Sequence, residues 1–352
     1  MATYAPPSQT TVLDTVTIAT LRDALTMEDI PQGYRNSLLC QLFLGSAREP
    51  GLGKRGQNLM LPSRRPMRKS QDGTRATQPV NFEVGNTAQS FTGSDILETS
   101  QADGPTETWS DFAQYTCYVS IPGTTKVKNT GRGKRLDILR SRQNQEIRQL
   151  TRTMEADLAG SNTDTTEGTQ NDFAGLQHKI ATTTSSSVVV QGLNQSTFTP
   201  WRNYTNTSVG SFAAGGLDAF RTAILSIAGT NGMEMPDLIA TTSTVAAYFF
   251  KALEGIHRIT GSLDNADLGA SRLPSFMGIP IVYSDDLLAG AAYLLSFDDI
   301  VSITHSGMDW VNITPGNPND QWVTDQVRWV YGAAPMMVTR REKHGVLSGI
   351  TA

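Results

Sequence analysis

The clearest periodic signal in the chain lies between residues 134 and 160. In "KRLDILRSRQNQEIRQLTRTMEADLAG", Leu136, Leu139, Ile147, Leu150, Met154 and Leu158 recur at helical spacing with no internal Gly or Pro, and Gly160 stands where a C-terminal cap belongs. The spacing predicts a helix of about 25 residues, roughly 37 Å long. Its apolar stripe is narrow. Arg135, Arg140, Arg142, Arg148 and Arg152, with Glu146, Glu155 and Asp157, are assigned to the remaining surface, where Arg142 and Glu146 stand one turn apart and can pair. Such a helix packs on one side and presents an Arg-rich back. No helix-turn-helix partner accompanies it, which argues against a DNA-reading helix.

Upstream, "TIATLRDALTMEDI" and "YRNSLLCQLFLGSAR" predict two short amphipathic helices, with Leu38, Leu39 and Leu42 as the apolar face of the second and Cys40 as a small buried side chain. Residues 45 to 80 change character. They hold Gly, Pro and the basic residues Arg48, Lys54, Arg55, Arg64, Arg65, Arg68, Lys69 and Arg75 against Glu49 and Asp72, so no core is expected there. The segment is either a flexible basic stretch that touches nucleic acid or an acidic neighbour, or a solvated loop. "PVNFEVGNTAQSFTG" and "TETWSDFAQYTCYVSIPG" then predict a long two-stranded hairpin. An isolated hairpin of that length is marginal in water and needs a surface to lie on, such as another subunit.

Beyond residue 160 the chain is rich in Ser, Thr, Asn and Gly, with a strand expected in "HKIATTTSSSVVVQGL". From residue 216 it becomes compact. "LDAFRTAILSIAG" sets Leu217, Phe220, Ile224 and Ile227 on one helical face, "PDLIATT" predicts a buried strand, "STVAAYFFKALEGI" a second helix and "GIPIVYS" another strand. This is an α/β unit. "AAYLLSFDDIVSITHSG", "WVTDQVRWVYGAAPMMVTRRE" and "GVLSGI" close the chain as strands. The fold class expected is α+β.

Composition narrows the classes of function. The 352 residues suffice for roughly two to three domains, and a formal charge of -4 supplies no global attraction to nucleic acid or an anionic membrane. No stretch approaches the apolar length that spans a bilayer, so no membrane partner is expected. Cys40 and Cys117 are too few for a disulfide framework.

The search for chemistry returns little. No Gly-x-Gly-x-x-Gly follows a strand, and "GLGKRG" places Arg55 where a phosphate loop needs Ser or Thr. His178, His257, His305 and His344 are scattered, with none at the spacing that binds zinc on one helical face. The adjacent carboxylates Asp285 and Asp286, ending "MGIPIVYSDD", invite a catalytic reading. Consecutive strand residues face opposite ways, however, and the device repeats at Asp298 and Asp299, so both pairs are assigned to turns or caps. No catalytic residue, cofactor or metal is expected. The alternative from another class is a soluble α/β hydrolytic enzyme using Asp285 with His257 or His305.

The order of elements is informative: a polar arm, a long hairpin, a lone long helix, and an α/β unit containing "PDLIATTSTVAAYFFKAL" and "MGIPIVYSDD". With the closing "VRWVYGAAPMMVTRREKHGVLSGI", it resembles the major capsid proteins of tailed double-stranded DNA bacteriophages, which share the Hong Kong 97-type fold. The resemblance covers approximately residues 30 to 350. It implies an N-terminal arm (1–50), an extended loop region (51–130) and a peripheral domain with the spine helix (131–209). An α/β axial domain (210–310) and return strands of the peripheral domain (311–352) complete the expected layout.

The function implied is self-assembly, through hexamers and pentamers, into an icosahedral shell around a double-stranded DNA genome. The shell would be built in the host cytoplasm and reside in the virion. The partners implied are other copies of the chain, a separate scaffolding protein, a portal protein, a decoration protein and packaged DNA in non-specific contact. Arg64, Arg65, Trp109, Phe112, Tyr115, Arg140, Arg142 and Glu146 are the expected assembly-interface residues, although the three aromatics fit an intramolecular core equally well. An encapsulin-type nanocompartment, which resembles the same fold, is the near alternative.

Overall fold

The computed structural model describes residues 38–44, 66–82, 90, 92–93, 105–122, 124, 138–163, 172–183, 188–230, 232–257, 275–309, 311–313 and 323–352. The first predicted helix and most of the segment between residues 83 and 104 lie outside them.

The long periodic segment forms helix α1 (Ile138–Ala159). Ile147, Leu150, Met154 and Leu158 are buried, as their spacing requires. Glu155 departs from the expected polar back and is buried on the packed side. Only one turn separates it from Thr151, which is also buried, so the apolar stripe is wider than its hydrophobic residues alone suggest. The end of α1 is closed by a single helical turn at Leu176–Lys179. There the Gln177 backbone N–H donates to the Gly160 carbonyl (3.2 Å) and its side chain to the Ala159 carbonyl (2.9 Å). That turn replaces the start of the strand expected from residue 178.

The strands divide between two main sheets. One contains β1 (Met67–Gln71), β4 (Ala113–Pro122), β13 (Ile300–His305), β14 (Val311–Ile313) and the 16-residue β15 (Val323–Val338). β15 is its axis, flanked by β4 on one side and by β14 and then β13 on the other, with β1 parallel beside β13. The basic segment expected to be coreless thus supplies an edge strand. Backbone pairing explains it: an edge strand needs only one hydrogen-bonded neighbour, and its polar side chains stay in water.

The second sheet orders β10 (Ser275–Phe276), β11 (Ile279–Tyr283), β9 (Leu238–Thr241), β12 (Ala292–Leu295), β16 (Gly345–Leu347) and β7 (Tyr204–Asn206). Helices α2 (Leu217–Thr230) and α3 (Ser243–His257) stand where the apolar periods predict. Their Phe220, Ile224, Ile227, Val245 and Phe249 pack with Ile239, Ile281, Leu294 and Leu347. The alternate residues Leu238, Ala240, Tyr293 and Val346 join a different core with Leu150, Met154 and Leu158 of α1, Tyr115 and Cys117 of β4, and Leu38, Leu39, Cys40, Leu42, Phe43 and Leu44. The sheet is therefore buried on both faces, which is why its strands lack polar alternation. The closing strands do not stay together, since β15 belongs to the first sheet and β16 to the second.

Among the described residues the predicted hairpin is differently paired. β2 (Arg75–Val80) is antiparallel to β3 (Thr106–Asp111), but after Phe112 the chain leaves this ribbon and β4 pairs with β15. The ribbon lies on its own chain. Ala76 and Phe112 pack with Val301, Ile303, Ala334 and Met337. The Trp109 backbone N–H donates to the Gln191 carbonyl (3.3 Å), in the turn joining β5 (Val189–Val190) to β6 (Leu193–Asn194). That turn carries Gly192 at φ 78°, and a side chain there would overlap the Trp109 indole. The chain ends with β17 (Ile350–Thr351) parallel to β8 (Gly210–Ser211).

Candidate assembly site

The expected interface residues fall into three groups. Arg64 and Arg65 lie outside the described residues, as does the side chain of Arg140. Arg142 and Glu146 are half-buried on the first turns of α1. The three aromatics are engaged within the chain. Trp109 is half-buried under the Arg75 guanidinium, which stands 4.1 Å from its ring centre and bonds Asp111 at 3.0 Å. Phe112 is buried with its ring edge-on to His305 at 5.2 Å. Tyr115, facing α1, donates its hydroxyl to Asp157 (2.6 Å), accepts from the Phe173 N–H (2.9 Å) and packs on the Phe173 ring at 4.5 Å. Burial, then the Asp157 carboxylate, pushes this phenol well above its ordinary range. Asp157 lies 11 residues from Glu146, roughly 17 Å along α1, so Tyr115 does not meet Arg142 and Glu146.

The paired aspartates occupy turns. Asp285 accepts from Ser243 Oγ at 2.5 Å at the start of α3, where its charge complements the positive end of the helix dipole. Asp298 and Asp299 lie in the short turn Phe297–Asp299. His305 accepts from the Gly307 N–H (3.1 Å) and belongs to the first sheet, whereas Asp285 follows β11 of the second; the side chain of His257 lies outside the described residues. Of the pairs considered for hydrolysis, Asp285 with His305 is thus split between the two sheets, and Asp285 with His257 lies outside the described residues. Among the described residues no group of His, Cys, Asp or Glu is placed to hold a metal ion, and no helix is long and apolar enough to cross a membrane.

Sequence reasoning missed the joint between the sheets. Residues 296–299 and 339–344 cross side by side from one sheet to the other, linked by the Thr339 N–H donating to the Asp299 carbonyl (2.9 Å). Buried Asp299 meets Arg340 Nε at 2.7 Å, Lys343 Nζ at 3.5 Å, Ser296 Oγ at 3.4 Å and Thr339 Oγ1 at 3.3 Å, and Lys343 also pairs with Glu234. Next to it Arg341, fully buried, donates to the carbonyls of Lys179 (2.9 Å) and Trp201 (2.7 Å) and to Asn203 Oδ1 (2.8 Å). His344 Nδ1 accepts from the Ser296 N–H at 3.2 Å. Burial, reinforced by Arg341 and Lys343, pushes the His344 imidazole down to about 3. The signal was the charged run "REKH" inside an apolar closing segment.

Apolar area also remains in water. Parallel pairing of Ile281 with Ile239 starts β9 and β11 at the same end of the second sheet. There Met233 (85% exposed), Met235 (45%) and Met277 (41%) stand in the preceding turns. On the first sheet, Tyr118 of β4 and Val311 of β14 are exposed.

Neither a protein-family model nor a curated protein matches the sequence. Solved structures do match. The chain is 14% identical to a subunit of the capsid of cyanophage A-1(L), with a TM-score of 0.60 over 96% of this chain and 99% of that one. It is 13% identical to the capsid subunit of a native GTA particle (TM-score 0.60, covering 94% and 96%). To an encapsulin complex from Synechococcus elongatus it is 11% identical (TM-score 0.52, covering 99% and 96%). These neighbours are shell proteins, not enzymes. The chain has the α+β fold of phage capsid subunits.

Proposed function

We propose, from the premise that this fold is the one phage shells are built from, that the chain is a major capsid protein. It self-assembles into an icosahedral shell enclosing a double-stranded DNA genome, and has no catalytic site. The observation that carries the reading is the extent of the likeness: 96% of this chain superposes on 99% of a cyanophage capsid subunit, leaving no large part over for another activity. Fold alone does not fix function, so the site must agree. It does: Asp285 and His305 cap turns and Asp299 and His344 lock the joint between sheets, while Met233, Met235 and Met277 stay exposed at one end of the second sheet.

In this reading the layout is that of the Hong Kong 97 type, with arm, extended loop, spine helix and axial domain as laid out from the sequence. Arg64, Arg65, Arg140, Arg142 and Glu146 meet neighbouring copies or DNA. A separate scaffolding protein, a portal and a decoration protein are the further partners, and the virion is the final location. The likeness to the encapsulin complex favours one other reading, a nanocompartment.

The test is electron microscopy of the purified chain, alone and co-expressed with a candidate scaffolding protein. Closed hollow particles are expected. Filling of those particles with DNA rather than protein cargo separates the two shells, and a chain that stays monomeric under both conditions overturns both.

A further inference from the structure

Strand β1 is placed without being covered. It pairs with β13 from Met67 to Gln71, and no described strand lies along its other side. Successive residues of a strand face opposite ways, yet Met67, Arg68, Lys69 and Ser70 are all exposed, so both faces of β1 stand in water. Met67 is 61% exposed. The two cations that follow it have no ion pair among the described residues, whereas Asp299 holds Arg340 and Lys343, Asp111 holds Arg75 and Asp218 holds Arg221.

The opposite sign stands at the end of β11. Tyr283 (51% exposed) and Leu288 (37%) border a turn that carries Asp285 and Asp286, both exposed. The turn is fixed from beneath. The Ser284 N–H donates to the Thr241 carbonyl (2.9 Å), Asp285 accepts from Ser243, and Leu287 is buried. Asp286 has no ion pair among the described residues, and the buried Glu155 carboxyl beside it adds negative rather than positive charge. A turn held in this way loses little freedom when a partner covers it.

We propose that β1 of one copy docks on the 283–288 turn of the next, with Arg68 and Lys69 meeting Asp285 and Asp286 while Met67 packs against Tyr283 and Leu288. Charge complementarity selects the occupant. Nucleic acid is attracted by the cations but repelled by the aspartates, so a partner that covers both patches carries both signs, as a second copy does. The paired charges orient the encounter and the apolar neighbours supply the area withdrawn from water. The inference deepens the shell reading and rests on it for its geometry. β1 belongs to the first sheet and the turn to the second, so the contact is heterologous, and a repeated heterologous contact closes a ring where the rotation allows, as hexamers and pentamers require.

Coupling with a water-soluble carbodiimide, which joins a lysine amine directly to a carboxylate, tests this on the full-length chain, both in particles and as concentrated unassembled protein. A peptide linking Lys69 to Asp285 or Asp286 is expected in bands of two or more chains on a denaturing gel, and not in the single-chain band. Particles that lack this link, or hold it only within single chains, overturn the inference and leave the shell reading standing. Linked oligomers that never close into particles overturn the shell reading and leave the contact standing; a chain with neither link nor particles overturns both. Lys69→Glu and Asp286→Lys, both exposed changes, should each lower the yield of particles or oligomers at least about tenfold, and the combined variant should restore it. A combined variant as poor as the single ones would remove the charge pairing. A yield that falls with Lys69→Glu but not with Asp286→Lys would assign β1 to another partner, such as DNA.

Discussion

His344 shows how much a single buried residue can set. Its imidazole is fully buried beside Arg341 and Lys343 and stays neutral down to about pH 3 in the folded chain, against an ordinary 6.5 when unfolded. The unfolded chain therefore binds the extra proton first. Stability from this site is complete above about pH 6.5 and is lost as pH falls, by about 1.4 kcal/mol per unit until the folded value is reached. His344→Asn keeps an acceptor near the Ser296 N–H but cannot titrate. Urea midpoints of unassembled wild type and variant should diverge between pH 6.5 and 4, with wild type falling faster; parallel curves would contradict the assignment. Arg341 offers a second test. Its donors satisfy two carbonyls and an amide oxygen in a closed interior, so Arg341→Met should cost about 3 kcal/mol or more, read as a lowered urea midpoint.

Among the elements, α1 holds residues 39–40 through Thr151 and Glu155 and the first sheet through Asp157. Tyr115 links β4 to α1 and to the segment that closes the helix end, through one hydroxyl that both donates and accepts. Tyr115→Phe keeps the ring on Phe173 but leaves the Phe173 N–H and the Asp157 carboxylate without this partner. The expected loss is about 1–3 kcal/mol with an unchanged fold, measurable by denaturation, and exchange should rise first in residues 173–179. The helical elements were legible because burial follows a 3.6-residue period that residue types record. The ribbon was legible only in part: alternation announces a strand but not its partner, and nothing local shows that the chain changes partners at Phe112.

For the whole molecule, the exposed methionines connect folding to the proposed shell. Met233 at φ 72° and Met277 at φ 52° hold left-handed conformations that favour Gly or Asn. Met277 and Gly278, both at positive φ, form the two-residue turn joining β10 to β11. A chain optimised only for its own stability has little reason to keep apolar side chains there. Met233→Asn with Met277→Asn should leave the unassembled chain as stable or up to about 1 kcal/mol more so, while lowering particle yield. Unchanged yield by electron microscopy would remove this end of the sheet from the assembly surface.

The sequence by itself determined the α+β class, α1, α2, α3 and strands β9, β11, β12 and β16 of the second sheet, because each buries a face whose period is written in consecutive residues. It also showed the lack of a catalytic motif, and its order of elements pointed to shell proteins. Only the tertiary structure decided that Phe112 and Tyr115 are interior, that β16 crosses to the second sheet, and that Glu155 holds residues 39–40 while Asp299 and Arg341 lock the joint. Those outcomes depend on which backbone groups and charges meet across a hundred residues or more. A carboxylate or guanidinium looks the same in sequence whether it ends in water or against a buried carbonyl.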